Sequence, residues 1–250
     1  MYKKIFLSIA ASDSIGGAGI QADNRTAVML GLYPVNVITA VTAQNTFGIS
    51  AIQKISGKLL AAQFDAVLKD FTPDSVKVGL LPSPEAAEII ADKIRQHKLR
   101  NVIVDPVLAP TKGGRISKKG MAKSIIENFA DIATLITPNL PELKILEKEI
   151  SQPLDSVFSN VLVKGGHSGG KSSDDRLLMH NEELLLFGDR LDTPNTHGSG
   201  CVLSSAIACF TTRATHISEA VDEAKRFVYR HLKENMELEF GRNNYGPVIY

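Results

Sequence analysis

Short apolar runs rich in β-branched residues alternate along the chain with longer amphipathic segments. The apolar runs predict buried strands at residues 5–10, 35–41, 75–78, 102–104, 134–136 and 161–163. The amphipathic segments predict helices at residues 20–30, 59–71, 84–97, 121–129, 143–149, 201–213 and 217–238, and a hairpin is predicted at 177–187. This alternation predicts an α/β fold with three α/β/α layers and a mostly parallel central sheet.

Polar and glycine-rich clusters follow several of the predicted strands. They lie at residues 13–19, 42–46, 105, 139–142 and 164–167. Because ligands bind beyond the carboxyl ends of strands in such sheets, these clusters predict one shared site. The chain contains no Pro- or Ser-rich linker and no internal repeat, so we expect a single domain over residues 1–250.

Composition narrows the range of partners. The formal net charge of the 250 residues is +1, which argues against binding to nucleic acid or to an acidic membrane surface. No apolar run approaches the roughly 20 residues that a membrane-spanning helix needs. The two cysteines, Cys201 and Cys209, lie on one predicted helix and form no disulfide framework. A reducing, cytoplasmic location is therefore expected, and Cys209 is expected in the core.

The segment from Asp192 to Cys201 is the centre of the predicted site. Gly198 and Gly200 flank Ser199, and Cys201 opens an apolar helix. Glycines let backbone N–H groups approach an anion, and the start of a helix favours negative charge. This pattern is typical of a site that holds a phosphate beside one reactive side chain. Taken alone, it is better explained as a glycine-rich helix start with a core cysteine.

Two better-known glycine motifs match the sequence, but the residues that follow them do not meet the requirements of either motif. Residues 17–22 match G-x-G-x-x-G/A, but no Asp or Glu lies between Asp23 and Asp65 to bind the ribose of a dinucleotide. Residues 165–172 match the P-loop pattern G-x-x-x-x-G-K-[ST], but residues 173–175 continue a helix poorly. The P-loop remains a runner-up, which replacement of Lys171 by Ala would test.

Together, these segments resemble the ribokinase-like superfamily, and within it the hydroxymethylpyrimidine / phosphomethylpyrimidine kinases of thiamin biosynthesis. The matching segments occur in the family's order, at residues 13–23, 41–46, 104–107, 137–142, 163–167, 195–201 and 246–248. The resemblance implies a ribokinase-like fold. It also implies ATP-dependent phosphorylation of 4-amino-5-hydroxymethyl-2-methylpyrimidine, and then of its monophosphate to the diphosphate.

The resemblance also implies a substrate pocket. Asp23 and Gln44 would pair with donors and acceptors on the aminopyrimidine ring. Alternatively, Asp23 only caps a helical turn and Gln44 is a solvated loop residue. The pocket walls would be formed by Ala18, Leu80, Val107 and Cys201.

The resemblance further implies that acids and a lysine form the part of the site that binds the nucleotide phosphates. Asn139 would lie near the nucleotide and Lys164 would face its phosphates, while Asp105 and Glu142 would organise Mg²⁺, which takes few protein carboxylates. The backbone N–H groups of residues 198–201 would form an anion hole. Many ribokinase-like enzymes have an Asp base where Cys201 stands. A helix start stabilises a thiolate, so Cys201 is the expected base.

Some expectations stay open. The family normally has two helices between Glu142 and Val161, whereas here only residues 143–149 are convincingly helical. Since a parallel crossover needs about a dozen residues or more, this edge is expected to be trimmed or incomplete. The nearest alternative function is a pyridoxal or pyridoxine kinase on the same fold, and a second is a binding protein without catalysis. Related enzymes are often dimers, so a homodimer is expected.

Overall fold

A computed structural model describes residues 3–108, 120–167, 172–180 and 182–250. The strands are β1 (Ile5–Ser12), β2 (Tyr33–Asn45), β3 (Gly48–Lys54), β4 (Ser75–Val78), β5 (Val102–Val104), β6 (Leu135–Ile136), β7 (Asn160–Val163), β8 (Asp175–Met179) and β9 (Glu182–Leu186). The helices are α1 (Gly19–Met29), α2 (Gly57–Asp70), α3 (Pro84–Gln96), α4 (Met121–Phe129), α5 (Leu140–Ile150), α6 (Ser199–Phe210) and α7 (Ile217–Glu234).

In the described ranges these strands form one sheet in the order β3-β2-β1-β4-β5-β6-β7-β8-β9. The run from β2 to β7 is parallel, whereas β3, β8 and β9 each pair antiparallel with a neighbour. The parallel strands therefore end at the same edge of the sheet. This arrangement confirms the predicted α/β fold with a mostly parallel central sheet.

Helices cover both faces of the sheet because its strands are apolar on both sides. Along β1, Leu7 and Ile9 enter one core cluster and Phe6 enters the other, as alternation along a strand requires. The first cluster includes buried side chains of α2, α3, α4 and α5, and the second includes those of α1, α6 and α7. The result is the three-layer α/β/α architecture that the sequence predicts.

Three local details differ from the predictions. The strand β3 was not predicted, because most of its side chains are exposed and it has no buried face. Helix α5 begins at Leu140 rather than 143, since Asn139 and Glu142 cap its first turn. The crossover to β7 is complete, with α5 followed by one 3₁₀ turn at Leu154–Ser156 in place of a second helix.

The P-loop alternative lacks its helix. Residues 168–171, which include Lys171, lie outside the described residues. After them the chain enters β8, which pairs antiparallel with both β7 and β9. A P-loop requires a helix there to receive the phosphate, so this alternative is not supported.

None of the helices in the described ranges is both long enough and apolar enough to cross a membrane.

Candidate active site

A cavity of about 1660 Å³ opens at the carboxyl ends of the parallel strands. It brings together nearly all the side chains that the sequence singled out. Those in its lining are Ala18, Gln44, Leu80, Asp105, Val107, Asn139, Glu142, Lys164, Gly198, Ser199, Gly200 and Cys201. The clusters expected to share one site therefore do share it.

The turn before α6 is formed by glycine because only glycine fits there. Gly198 has φ of 76°, and a Cβ on it would lie 1.9 Å from the carbonyl oxygen of Gly17. No side chain caps this helix start within the described residues, so the cap position remains open to a ligand. The N–H of Ser199 donates to the Thr196 carbonyl at 3.1 Å, which leaves the N–H groups of Gly200 and Cys201 better placed for an anion.

Buried amide groups fix this turn to the rest of the chain. The Asn195 side chain is fully buried and donates to the carbonyls of Asn235 and Leu238, each at 2.7 Å. Its oxygen accepts from the N–H of Gly246 at 3.0 Å. Because these bonds saturate a buried side chain, the turn is held in one position.

His197 is a part of this site that sequence reasoning missed. Its Nε2 lies 2.8 Å from Oδ2 of Asp13, and its ring covers Gly17, where a Cβ would collide with it. Burial alone would raise the pKa of Asp13, but His197 and two backbone N–H donors lower it below its ordinary value. The glycine-rich loop before α1 is thus tied to the turn before α6.

Two of the residues predicted to act on the phosphates, Lys164 and Asp105, form an ion pair in the cavity lining. Lys164 Nζ lies 2.7 Å from Oδ1 of Asp105. A Cβ on Gly200 would lie 3.4 Å from that Nζ and 3.6 Å from Oδ2 of Asp105, so the absence of a side chain leaves space beside both charges. Burial alone would raise the pKa of Asp105, but Lys164 and Lys77 hold it below its ordinary value. Asp105 therefore stays ionised.

Asn139 and Glu142 form a capping box at the start of α5. The Asn139 side chain accepts from the N–H of Glu142, and Glu142 Oε2 accepts from the N–H of Asn139, both at 2.9 Å. Burial, together with the nearby Asp105, raises the pKa of Glu142 to about 7. A cation placed between the carboxylates of Glu142 and Asp105 would lower the free-energy cost of ionising Glu142.

Gln44 and three apolar residues also line the cavity. Nε2 of Gln44 lies 3.3 Å from Nε2 of His197. The apolar residues are Ala18, Leu80 and Val107. A flat heteroaromatic ring with polar edges suits such a lining.

Asp23 differs from its prediction. Its side chain is fully buried beneath the cavity and paired with Lys77, whose Nζ lies 2.9 Å from both carboxylate oxygens. In this structure Asp23 therefore does not reach the cavity where a substrate would lie. Lys77 itself was missed. The available signal was a lysine inside a short buried strand, where a charge occurs only with a partner.

Cys201 lines the cavity, but its thiol does not behave as expected for a helix start. Burial raises its pKa above the ordinary value, and Asp23 and Asp105 raise it further. Lys77 and the N–H of Gly19 oppose this effect without reversing it. The expected stabilisation of the thiolate by the helix is therefore outweighed by desolvation.

The donor set suits Mg²⁺ held mainly through phosphates and water. No group of three or more His, Cys, Asp or Glu side chains in the described part of the chain forms a metal cage. Mg²⁺ typically binds one or two carboxylates and completes its shell with water and substrate phosphates. Asp105 and Glu142, both at the cavity, meet that requirement.

Comparison with known proteins supports the assignment of this cavity to a kinase. Residues 13–248 match the family model described as phosphomethylpyrimidine kinase. The chain is 38% identical to a hydroxymethylpyrimidine/phosphomethylpyrimidine kinase of Rhizobium meliloti (strain 1021), over 98% of this chain and 96% of the relative.

Two solved structures are similar to the fold described above. A phosphomethylpyrimidine kinase from Clostridium difficile 630 has 34% identity and a TM-score of 0.75, with 90% of this chain and 97% of that one covered. An ADP complex of Bacillus subtilis pyridoxal kinase has 29% identity and a TM-score of 0.88, with coverage of 98% and 97%. The predicted ribokinase-like kinase fold agrees with both.

Proposed function

This chain belongs to the phosphomethylpyrimidine kinase family and is a phosphotransferase, and from that membership we propose its substrates. It transfers the γ-phosphoryl group of ATP to the hydroxymethyl group of 4-amino-5-hydroxymethyl-2-methylpyrimidine, and then a second phosphoryl group to the monophosphate. The observation that carries this proposal is the shared cavity, which places Gln44, Lys164 and Cys201 around one space.

We propose that Cys201 is the base. Its thiolate takes the proton of the substrate hydroxyl, so an O–H bond breaks and an S–H bond forms. The hydroxyl oxygen attacks the γ-phosphorus in line, ADP leaves, and the thiol proton passes to water before the next turnover. The N–H groups of Gly200 and Cys201 stabilise the charge on the moving phosphoryl group, since the Ser199 N–H is bonded to the Thr196 carbonyl.

Lys164 and the two acids act on the phosphates in this proposal. Lys164 supplies a point charge, and Asn139 lies beside it at the nucleotide side of the cavity. Asp105 and Glu142 would hold Mg²⁺, which supplies neutralisation of the phosphate charge when bound. The space beside Gly200, between Lys164 and Asp105, is where this charge is needed.

A substrate assay tests the proposal directly. Protein is incubated with Mg²⁺-ATP and the aminopyrimidine alcohol, ADP release is followed, and the phosphates on the product are counted by mass spectrometry. We expect a product with two phosphates. A product with only one would limit the activity to the first step, and no ADP release with the aminopyrimidine would overturn the proposal.

A pyridoxal kinase is the second candidate, because one similar solved structure carries that name. Both reactions phosphorylate a hydroxymethyl group on a heteroaromatic ring. The same assay with pyridoxal in place of the aminopyrimidine separates them. ADP release with pyridoxal alone would favour this candidate.

We also propose the setting of the enzyme. Residues 1–250 act as one catalytic domain in the cytoplasm, in keeping with two cysteines that form no disulfide. Two copies associate, and the exposed apolar side chains of Val41, Phe47 and Ile52 on the β2–β3 hairpin support a contact there. Sedimentation velocity checks this association, and a monomer at micromolar concentration would contradict it.

A further inference from the structure

A buried ion pair lies directly beneath the proposed reaction centre. We name Lys77 and Asp23 the inner pair. The Asp23 carboxylate accepts from Lys77, from Ser8 Oγ at 2.6 Å and from Ser205 Oγ at 2.8 Å. These donors come from β4, β1 and α6, so Asp23 is fixed from three sides. Such saturation is what a buried charge requires.

Lys77 borders the cavity from this fixed position. Lys77 forms part of the cavity lining, although its side chain is fully buried against the protein. A Cβ on Gly79 would lie 2.8 Å from its Nζ, so glycine at that position leaves space for the ammonium. An ammonium has three N–H donors, and the two Asp23 oxygens account for two of them. One N–H donor is therefore not used by Asp23.

Cys201 lies beside this pair on α6. It precedes Ser205 by one helical turn, so the two residues share a face of the helix, and Ser205 Oγ donates to the Asp23 carboxylate at 2.8 Å. The charged or titratable side chains whose charges act on Cys201 are those of Lys77, Asp23, Asp105, Lys164 and Tyr245. Among the influences on the thiol, Lys77 has the largest effect that favours the thiolate. The carboxylates act in the opposite direction. Without Lys77, the thiol would face burial and two negative charges with much less compensation.

We propose that Lys77, held by Asp23, is the positioning residue for Cys201: its ammonium faces the sulfur and stabilises the thiolate. This inference rests on the proposed function, in which Cys201 is the base. It gives Asp23 a role without substrate contact, because Asp23 holds the cation. Burial raises the free-energy cost of ionising the thiol, and Lys77 supplies a compensating positive charge from a position that Asp23 fixes.

Alkylation of the thiol tests the inference without turnover. The rate of iodoacetamide modification of unliganded protein is measured against pH by mass spectrometry, with Cys201→Ala as the blank for the buried Cys209. Lys77→Met is expected to move the midpoint of the profile upward by about one pH unit or more, which is a tenfold slower reaction below the midpoint. Lys77→Arg keeps a cation there and is expected to stay close to wild type.

A second variant covers the case in which Lys77→Met does not fold. If Lys77→Met does not fold, the double variant Asp23→Leu/Lys77→Met removes both charges and is expected to show a smaller upward shift, because loss of the Asp23 charge offsets part of the loss of Lys77. Lys4→Met, which breaks an exposed ion pair far from the cavity, is the matched control and leaves the profile unchanged. Profiles of both Lys77→Met variants that coincide with wild type would overturn the inference.

Kinetics separate this inference from the proposed function. Lys77→Met is expected to lower kcat at least about tenfold, following the thiolate population, with ATP affinity within about threefold of wild type. Lys77→Arg restores most of kcat. Near-normal turnover by Cys201→Ala would refute the base role instead, and the alkylation profile would still decide whether Lys77 faces the thiol.

Discussion

Two Lys–Asp ion pairs lie within the same site and differ mainly in their access to solvent. The inner pair, Lys77 with Asp23, has side-chain exposures of 0% and 0%. The cavity pair, Lys164 with Asp105, has exposures of 14% and 4%. Both have hydrogen-bond distances below 3 Å. In the proposed mechanism, the small exposure of Lys164 allows its ammonium to exchange a carboxylate for a phosphate.

The carboxylates of Asp23 and Asp105 also differ in how tightly other hydrogen bonds hold them. Asp23 accepts short bonds from two serines besides its lysine, at 2.6 and 2.8 Å. Within the described residues, the other side-chain contacts of the Asp105 carboxylate besides Lys164 are longer, at 3.3 Å to Thr137 Oγ1 and 3.4 Å to Ser204 Oγ. A carboxylate with loosely held oxygens can accept a new ligand at low cost. This difference supports the proposal that the inner pair positions Cys201 and that the cavity pair binds phosphate.

Breaking the inner pair is expected to have the largest effect on stability. Lys77→Met leaves the Asp23 carboxylate buried without its cation, and the free energy of unfolding should fall by about 3–5 kcal/mol. Urea denaturation followed by circular dichroism measures this. The double variant Asp23→Leu/Lys77→Met should recover most of the loss because no charge is left unpaired. If Lys77→Met were as stable as wild type, the prediction that the buried pair depends on its cation would be wrong.

Breaking the cavity pair is expected to affect turnover more than stability. Lys164→Met removes a preorganised charge from the phosphate side, and kcat should fall by about 10²–10³-fold. Its unfolding free energy should fall by less than that of Lys77→Met, because water in the cavity can solvate Asp105. Steady-state kinetics and urea denaturation of the same preparation check both. The comparison would fail if Lys164→Met lost more stability than turnover.

The exposed ion pair of Lys4 and Asp74 is expected to contribute least to stability. Lys4 Nζ lies 2.7 Å from Oδ1 of Asp74, with side-chain exposures of 58% and 28%. Lys4→Met should cost only about 0.2–1 kcal/mol of stability, since solvent screens such pairs. Turnover should be unchanged. A loss as large as that of Lys77→Met would mean that burial does not separate these pairs.

The sequence was sufficient for most of the fold because its strands are buried on both faces. Strands such as Val102–Val104 are continuous apolar runs, which are easy to recognise. The strand β3 has no such run, since it is a mostly exposed edge strand held by the backbone of β2. The start of α5 depends on a reciprocal cap, which a search for hydrophobic periodicity does not detect.

The candidate site was predicted less completely, for a different reason. Glycines and acids after strands identify a phosphate site locally, and the cavity brings them together. Lys77, the partner of Asp23, is 54 positions away on strand β4, so sequence spacing does not connect it with Asp23 on helix α1. The thiol of Cys201 shows the same limit, because its helix position favours the thiolate and the burial that opposes it is a tertiary property.

The most direct test of the central claim is a comparison of turnover and ATP binding in Cys201→Ala. If the turn at residues 198–201 is the reaction centre and Cys201 is the base, kcat should fall by about 10²-fold or more. The dissociation constant for ATP, measured by isothermal titration calorimetry, should stay within about threefold of wild type, since the sulfur binds the substrate proton and not the nucleotide. Near-normal kcat in this variant would contradict the account.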